Sequence, residues 1–342
     1  MTPTTQREVW GIDTGGLRVK VTNRPLLGSS DGVLRVPAGL EVISFDTPDV
    51  PADQFVMAVR EALSAQGLWG DAEALHGMSI CGPVSRVGDQ TFCSSMVNRG
   101  YHDEFELKGV AALNDALAAL LGSRLVGAAA GHGGAVAYIT LGTGLGCAVL
   151  AWDPINGVLS PQKPELHMPI PAGTRMCACG LGGCAEAAVN EQALWRSAVA
   201  AGLPAVTDAR GKGIGHEMVR LLGEAQWRET AQGVRQEWME VLSEVVRDLL
   251  VMFDLGQTAR REPALIVFGG GLAPLVDGAV VKERLLAGYG PRPFFGEDFR
   301  IVTETAQPNL PACVGAAAYA LSDLIECSPL EITATAVVGQ LA

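Results

Sequence analysis

The sequence is short of positive charge: 25 Lys and Arg stand against 37 Asp and Glu, a net charge of −12 over 342 residues. A nucleic-acid surface needs a basic footprint to neutralise phosphates, and no Lys/Arg cluster supplies one, so no nucleic-acid partner is expected. Long hydrophobic runs are missing too. No stretch of about 18 uninterrupted apolar residues occurs, which leaves no candidate membrane span. The opening MTPTTQREVWGIDTGG has neither the basic start nor the apolar core of a secretory leader. Eight cysteines without such a leader fit reduced thiols in the cytoplasm better than a disulfide framework. Also absent is any G-x-x-x-x-G-K-[ST], which removes the P-loop enzymes; a dinucleotide fold is disfavoured because GTGLG at 142–146 lacks the following helix and ribose-binding acid.

What is present begins with enough apolar material, 48% by count, to fill two cores. Residues 8–23 read as two short strands around a Gly-Gly turn. A strand follows at 39–47, an amphipathic helix at 52–66 and a strand at 75–82, an order that suggests an α/β layer. Residues 108–122 read as helix, with a break near Asn114-Asp115. Residues 135–153 repeat the strand, Gly-rich turn, strand rhythm of 8–23, which points to a duplicated architecture. Helices are predicted at 185–201, 232–254 and 311–326 and a strand at 264–274; residues 203–230 read only as loop plus one helix.

Three Gly-rich turns end predicted strands: Asp13-Thr14-Gly15-Gly16, Gly142-Thr143-Gly144-Leu145-Gly146 and Gly269-Gly270-Gly271. Glycine lets backbone N–H groups close on an anion, and a carboxylate such as Asp13 beside the turn suits hydrated Mg²⁺ with the terminal phosphates of a nucleotide. Singly, each reads more readily as an ordinary tight turn; three together favour a nucleotide. That is the arrangement of actin-like, or ribonuclease-H-like, phosphotransferases.

Residues 163–186 hold the most specific signal. His167 is followed after nine residues by Cys177, after one more by Cys179 and after four more by Cys184. One imidazole and three thiolates make a closed tetrahedral set for Zn²⁺, the coordination of a structural site. Gly180, Gly182 and Gly183 let the chain curl so that the sulfurs converge. Unliganded buried thiols and a disulfide or redox pair are the weaker alternatives. Cys81, Cys93, Cys147, Cys313 and Cys327 lie in apolar company and read as core packing. Asn114-Asp115, taken alone, reads first as a helix N-cap.

In order along the chain, DTGG at 13–16, Asn114-Asp115, LGTGLG at 141–146, H-x9-C-x-C-G-x2-G-C-x-E at 167–186 and FGGG at 268–271 resemble the ROK family (repressors, open reading frames, kinases) over residues 8–322. The resemblance implies an α/β, two-lobed actin-like ATPase (ribonuclease-H-like) fold, with duplicated mixed-sheet domains and flanking helices. A small lobe at 1–115, with the C-terminal segment 325–342 as its candidate completion, would precede a larger lobe at 116–324 carrying the zinc loop 163–186. The implied activity is an ATP-dependent sugar kinase acting on a hydroxyl of a hexose or hexose-like acceptor. Asp13, Gly15, Gly16, Thr143 and Gly144 would meet the phosphates of ATP with Mg²⁺, while Gly269, Gly270 and Gly271 would pass beside the adenosine. Asn114 would hold sugar hydroxyls and Asp115 would be the catalytic base, which reverses the N-cap ranking. The Gly82 backbone, Glu165, His167 and Glu186 would touch the sugar, with His167, Cys177, Cys179 and Cys184 on structural Zn²⁺. One imidazole nitrogen would bind the metal and the other donate to a sugar hydroxyl. A homodimer is implied as well.

Two departures bear on the acceptor. The family's Glu-x-Gly-His ahead of the cysteines is here Pro164-Glu165-Leu166-His167, one residue shorter and without the glycine. Leu17 and Arg18 replace the Thr and Lys that usually follow the double glycine. These changes leave room for an amino sugar or a cyclitol besides glucose. Two other readings compete. A sugar-responsive repressor is disfavoured by the acidic chain and by only 12 residues ahead of Asp13, against the roughly 70 of a winged-helix module. A catalytically silent sugar-binding protein is disfavoured by Asp115.

Overall fold

Strand β1 (Gln6–Thr14) is buried without interruption from Val9 to Thr14, as a strand covered on both faces must be. The computed structural model to which it belongs describes residues 6–337 except 17, 97–100, 154–157, 163–165, 168, 171–174, 178, 205–212, 254–262, 289–298 and 305–308. By internal contacts, Met1–Gly131 with Asn309–Ala342 form one unit and His132–Pro308 a second.

In the first unit, β1 runs antiparallel to β2 (Arg18–Thr22), with Asp13 opposite Lys20, and through its first residues antiparallel to β3 (Leu26–Ser29). Strand β4 (Val33–Pro37) continues outward from β3, and β5 (Val42–Asp46) from β2. Helix α1 (Phe55–Ser64) buries Phe55, Val59 and Leu63, spaced four apart on one face. Strand β6 (Leu75–Ile80) then joins β1 in parallel. A separate antiparallel sheet of β7 (Val84–Val87), β8 (Gln90–Cys93) and β9 (Phe105–Glu106) precedes β10 (Ala111–Asn114), which is parallel to β6. Helix α2 (Asp115–Val126) follows at once. The helix expected over 108–122 is corrected accordingly: Ala111–Asn114 pair with Gly77–Ile80, and the chain turns helical only at the break foreseen at Asn114-Asp115.

In the second unit, β11 (Val136–Leu141) and β12 (Leu145–Asp153) form the second predicted hairpin, and β13 (Val158–Gln162) pairs outward on β12. The helix expected over 185–201 is two, α3 (Ala185–Val189) and α4 (Glu191–Ala200). Asn190 divides them: its extended backbone ends α3, and its side chain accepts from the Ala193 N–H at 2.9 Å to cap α4. After α5 (Ile214–Gly223), the long α6 (Arg228–Phe253) lays Trp238, Leu242 and Val246 into a core with Met218 and Phe268. Trp238 Nε1 donates to the Val189 carbonyl at 3.0 Å. Strand β14 (Ala264–Gly269) lies parallel to β11, and after α7 (Gly278–Gly288) strand β15 (Phe299–Thr303) lies parallel to β14.

Helix α8 (Leu310–Leu324) and β16 (Thr333–Val337), parallel to β4, belong to the first unit. The helix seats on the sheet at backbone distance. A Cβ on Gly11 would stand 1.8 Å from the Cys313 carbonyl oxygen, one on Gly77 1.8 Å from that of Ala316, and one on Gly315 1.8 Å from that of Ala118 in α2. Only glycine allows this approach. Because α2 and α8 pack on each other in this way, the units divide at Gly131 and Pro308, where the sequence suggested Asp115 and residue 324.

The five strands β5-β2-β1-β6-β10 and the five strands β13-β12-β11-β14-β15 share one order, antiparallel, antiparallel, parallel, parallel. The fold is thus the duplicated α/β arrangement expected. No helix among the described residues is long and apolar enough to cross a membrane.

Candidate functional site

The candidate residues of the first unit gather at the carboxyl ends of parallel strands, the edge where open α/β sheets present ligands. Register sets Ser79 between Asp13 and Leu113, and Ile80 between Thr14 and Asn114. Asp13 is 6% exposed and both carboxylate oxygens have partners: Lys20 Nζ donates to Oδ2 at 2.9 Å and Ser79 Oγ to Oδ1 at 2.7 Å. The Asp13 charge outweighs burial and raises the Lys20 ammonium above its ordinary range. Gly15 N–H closes the hairpin on the Arg18 carbonyl at 2.9 Å, Thr47 Oγ1 donates to the Gly15 carbonyl at 3.0 Å, and Gly16 is buried.

Asn114 caps α2, its side-chain oxygen accepting from the Ala116 N–H at 3.1 Å. Its Nδ2 donates to the Gly82 carbonyl at 3.1 Å and to Asp115 Oδ1 at 2.8 Å. Cap and site are therefore one arrangement, in which the amide that starts the helix also orients the half-buried carboxylate of its first turn. Gly82 has no room for a side chain, since a Cβ would stand 2.1 Å from the Ser95 carbonyl oxygen. Beside them, burial first and then the charge of Asp115 push the Cys81 thiol well up, which makes it a poor nucleophile.

The second unit assembles the other two Gly-rich turns. Gly142 N–H donates to the Gly144 carbonyl at 3.0 Å, leaving Thr143 exposed at the hairpin tip. The Gly269-Gly270-Gly271 turn packs behind that hairpin: Gly270 has φ +86°, and its Cβ would stand 2.4 Å from the Leu141 carbonyl oxygen, which in turn accepts from the Leu272 N–H at 3.0 Å. Gly269 abuts Tyr138, whose hydroxyl lies 2.1 Å from where a Cβ would be. Glu191 is bonded to the first turn, its backbone N–H donating to the Gly142 carbonyl at 2.8 Å and its Oε2 accepting from Thr143 Oγ1 at 3.4 Å, and lies beside the second, where a Cβ on Gly271 would stand 3.5 Å from its Oε1.

In the same unit, His167, Cys177, Cys179 and Cys184 each bring one ligand atom to within 4.8 Å of the others. His167 Nδ1 lies 3.6 Å from the sulfurs of both Cys177 and Cys184. Tetrahedral bonds of about 2.3 Å to sulfur and about 2.0 Å to nitrogen set those atoms roughly 3.6 Å apart, so the donor set fits Zn²⁺. The loop is held by backbone bonds from Cys177 N–H to the Leu181 carbonyl and from Gly183 N–H to the Arg175 carbonyl, at 2.9 and 2.8 Å. Gly180 and Gly183 take positive φ, as the curl requires; Gly182 does not. Burial pushes the Cys177 thiol up to about 12, and raises Cys184, so a zinc ion would have to displace protons in binding. The opposite imidazole nitrogen, Nε2, faces Glu186 Oε2 at 3.6 Å, from the first turn of α3. Glu165, Pro164 and Leu17 lie outside the described residues.

Of the five cysteines assigned to packing, Cys93, Cys147 and Cys313 are buried, whereas Cys81 and Cys327 are half-buried. Three residues of these sites escape sequence reading: Lys20, Ser79 and Glu191. A signal exists for Lys20, an inward lysine directly across a short hairpin from an acid; Ser79 needs the parallel register and Glu191 the tertiary fold.

The family model described as "ROK family" matches residues 102–322. Among solved structures, a ROK family glucokinase from Streptomyces griseus in complex with glucose and AMPPNP is 21% identical, with a TM-score of 0.60 over 91% of this chain and 98% of that one. A ROK hexokinase from Thermus thermophilus is 23% identical, with a TM-score of 0.58 over 93% and 99%. A ROK family transcriptional regulator, a homologue of the E. coli MLC protein, is 16% identical, with a TM-score of 0.62 over 95% and 81%. Among curated protein sequences, none matches.

Proposed function

The chain belongs to the ROK family, and from there we propose that it is an ATP-dependent sugar kinase, moving the terminal phosphoryl group of ATP to a hydroxyl of a hexose or hexose-like acceptor. The observation that carries this reading is the Asn114-Asp115 pair, a carboxylate oriented by its neighbour's amide on the strand edge that also presents the Asp13 hairpin. Phosphoryl transfer to an alcohol needs an oriented hydroxyl, a carboxylate to take its proton, and positive charge on the phosphoryl oxygens. Asp115 accepts the proton as the acceptor oxygen bonds to phosphorus and the bond from phosphorus to the bridging oxygen of ADP breaks. Asn114 is chiefly a positioning residue: its amide hydrogens and one lone pair are engaged, which leaves one lone pair of Oδ1 for a sugar hydroxyl.

The turn at Thr143-Gly144 lies against the phosphates, Gly15 and Gly16 shape the hairpin that sets Asp13 beside them, with the Gly15 N–H spent on the Arg18 carbonyl, and Gly269 to Gly271 pass beside the adenosine. Asp13 accepts one hydrogen bond on each oxygen, and a carboxylate has about four acceptor sites, so it can still hold a water of a hydrated Mg²⁺. Bound Mg²⁺ supplies charge neutralisation at the phosphoryl oxygens. His167, Cys177, Cys179 and Cys184 would hold Zn²⁺, with Nδ1 as the imidazole ligand, and His167 Nε2 and Glu186 would then present a donor and an acceptor to ring hydroxyls.

A coupled ADP-release assay tests the activity, over hexoses, amino sugars and cyclitols with ATP, GTP and polyphosphate as donors. Turnover of ATP on at least one acceptor is expected. Silence on every acceptor, in protein with full zinc content, would overturn the kinase assignment.

A further inference from the structure

Glu191 opens α4 immediately after its cap Asn190, so its place is set by the start of a ten-residue helix. Its backbone N–H is tied to the Gly142 carbonyl at 2.8 Å, and Thr143 Oγ1 donates to Oε2 at 3.4 Å. On the other side, a Cβ at Gly271 would stand 3.5 Å from Oε1. The carboxylate therefore spans the gap between the two Gly-rich turns to which the kinase reading assigns the donor's phosphates and adenosine. The positive end of α4, which could otherwise attract a phosphate, is already complemented by its own acid. A nucleoside triphosphate brings several negative charges to this place, and a half-buried carboxylate juxtaposed to them repels them.

We propose that Glu191 makes the donor site selective for the metal complex of the nucleotide. It repels the bare polyphosphate and favours the form in which a divalent cation lies between its carboxylate and the phosphates. No direct bond is required, because Mg²⁺ keeps several of its waters and a carboxylate can accept from them. The inference rests on the kinase reading, and binding measurements separate the two.

Calorimetric titration of the full chain with ATP, in buffer freed of divalent cations by ion-exchange resin and again with added Mg²⁺, gives two dissociation constants. Their ratio is the readout, and no turnover is needed. The wild type should bind the Mg²⁺ complex much more tightly than bare ATP. Glu191→Gln keeps the size of the side chain and an acceptor for Thr143; it should tighten bare ATP by about tenfold and leave the Mg²⁺ complex unchanged or weaker, the scale on which juxtaposed like charges act. Glu191→Ser, which also suits a helix start, should move the ratio in the same direction if the Gln variant folds poorly. An equal ratio in wild type and variants would overturn the assignment to Glu191 and leave the kinase reading standing. Absence of ATP binding to the wild type in both buffers would overturn both.

Discussion

The two units share one five-strand order but fill it differently at the hairpin. In the first, the row across the sheet reads Lys20, Asp13, Ser79, a partly buried ion pair braced by a hydroxyl. The matching row of the second reads Gly146, Thr140, Gly269, with no charge in it, and the acid beside the turn comes from Glu191 at a helix start. Packing differs in the same sense. Helix α8 meets the first sheet at Gly11 and Gly77 with backbone against backbone, whereas α6 in the second unit packs through Trp238, Met239 and Leu242. Backbone contact cannot adjust, while long side chains can. If the kinase proposal holds, the difference suits the first unit to placing a reacting atom and the second to gripping ligands.

The largest expected effect tests that division directly. Asp115→Asn should retain sugar binding and lose about 10²- to 10⁴-fold in kcat, the usual worth of a positioned general base. Glu186→Gln, from the second unit, should act mainly on KM for the sugar, because a neutral amide still reaches a hydroxyl but accepts from it more weakly. Steady-state kinetics with calorimetric sugar binding reads both. Equal losses of kcat in the two variants would erase the distinction.

Thiols give the next comparison. Cys179→Ser should lower zinc content below one atom per chain and lower stability by several kcal/mol, on the order of 3, since a structural zinc contributes directly to folding. Cys313→Ser, buried in the first unit with its thiol 3.7 Å from the Lys20 carbonyl, should leave zinc content intact and cost about 1 kcal/mol. Elemental analysis and thermal denaturation check the pair; wild-type protein purified without zinc would remove the metal from the account.

Glycines rank below these. Gly77→Ala would drive a Cβ to 1.8 Å from the Ala316 carbonyl oxygen, backbone that cannot rotate away, and should cost about 1–3 kcal/mol. Among the described residues Gly271→Ala meets only the Glu191 side chain, at 3.5 Å, and should change stability by less than about 0.5 kcal/mol. Urea denaturation of the two variants would show whether the backbone seat of α8 is as unforgiving as its distances say.

These contrasts also mark what could be read from the sequence. Both Gly hairpins and the His/Cys spacing were legible because each closes within a short stretch, 17 positions at most, and its residue types are dictated locally. Asn114-Asp115 posed a choice between helix cap and site that dissolves once the amide is seen to do both. The short strand Ala111–Asn114 was read as helix because Ala and Leu favour helix, and its parallel partner Gly77–Ile80, far off in sequence, decides otherwise. The partner of Asp13 on β6 is 66 residues away, a pairing that only register reveals. The glycines under α8 look like any others until the helix is laid across them.

A pH-dependent effect of modest size probes how closed the first unit is, at His76 on the strand that carries Ser79. The ring stacks on Trp69 with centroids 3.9 Å apart and planes 10° from parallel, and its Nε2 is buried without a hydrogen-bond partner among the described residues. Burial, then the nearby Arg60 charge, lowers its pKa from 6.5 to about 4. The unfolded chain therefore takes up this proton at a higher pH than the folded one does. The stability the neutral ring contributes is complete above about pH 6.5 and is lost as pH falls toward 4, by about 1 kcal/mol after allowance for solvent reaching part of the ring. His76→Phe keeps the stack and removes the titration, so the stability difference between wild type and variant should shift in the variant's favour between pH 7 and pH 4.5. Zinc loss at low pH affects both proteins alike and cancels in that difference. A difference unchanged with pH would mean that water reaches Nε2, and that the first unit is less tightly closed than its glycine contacts indicate.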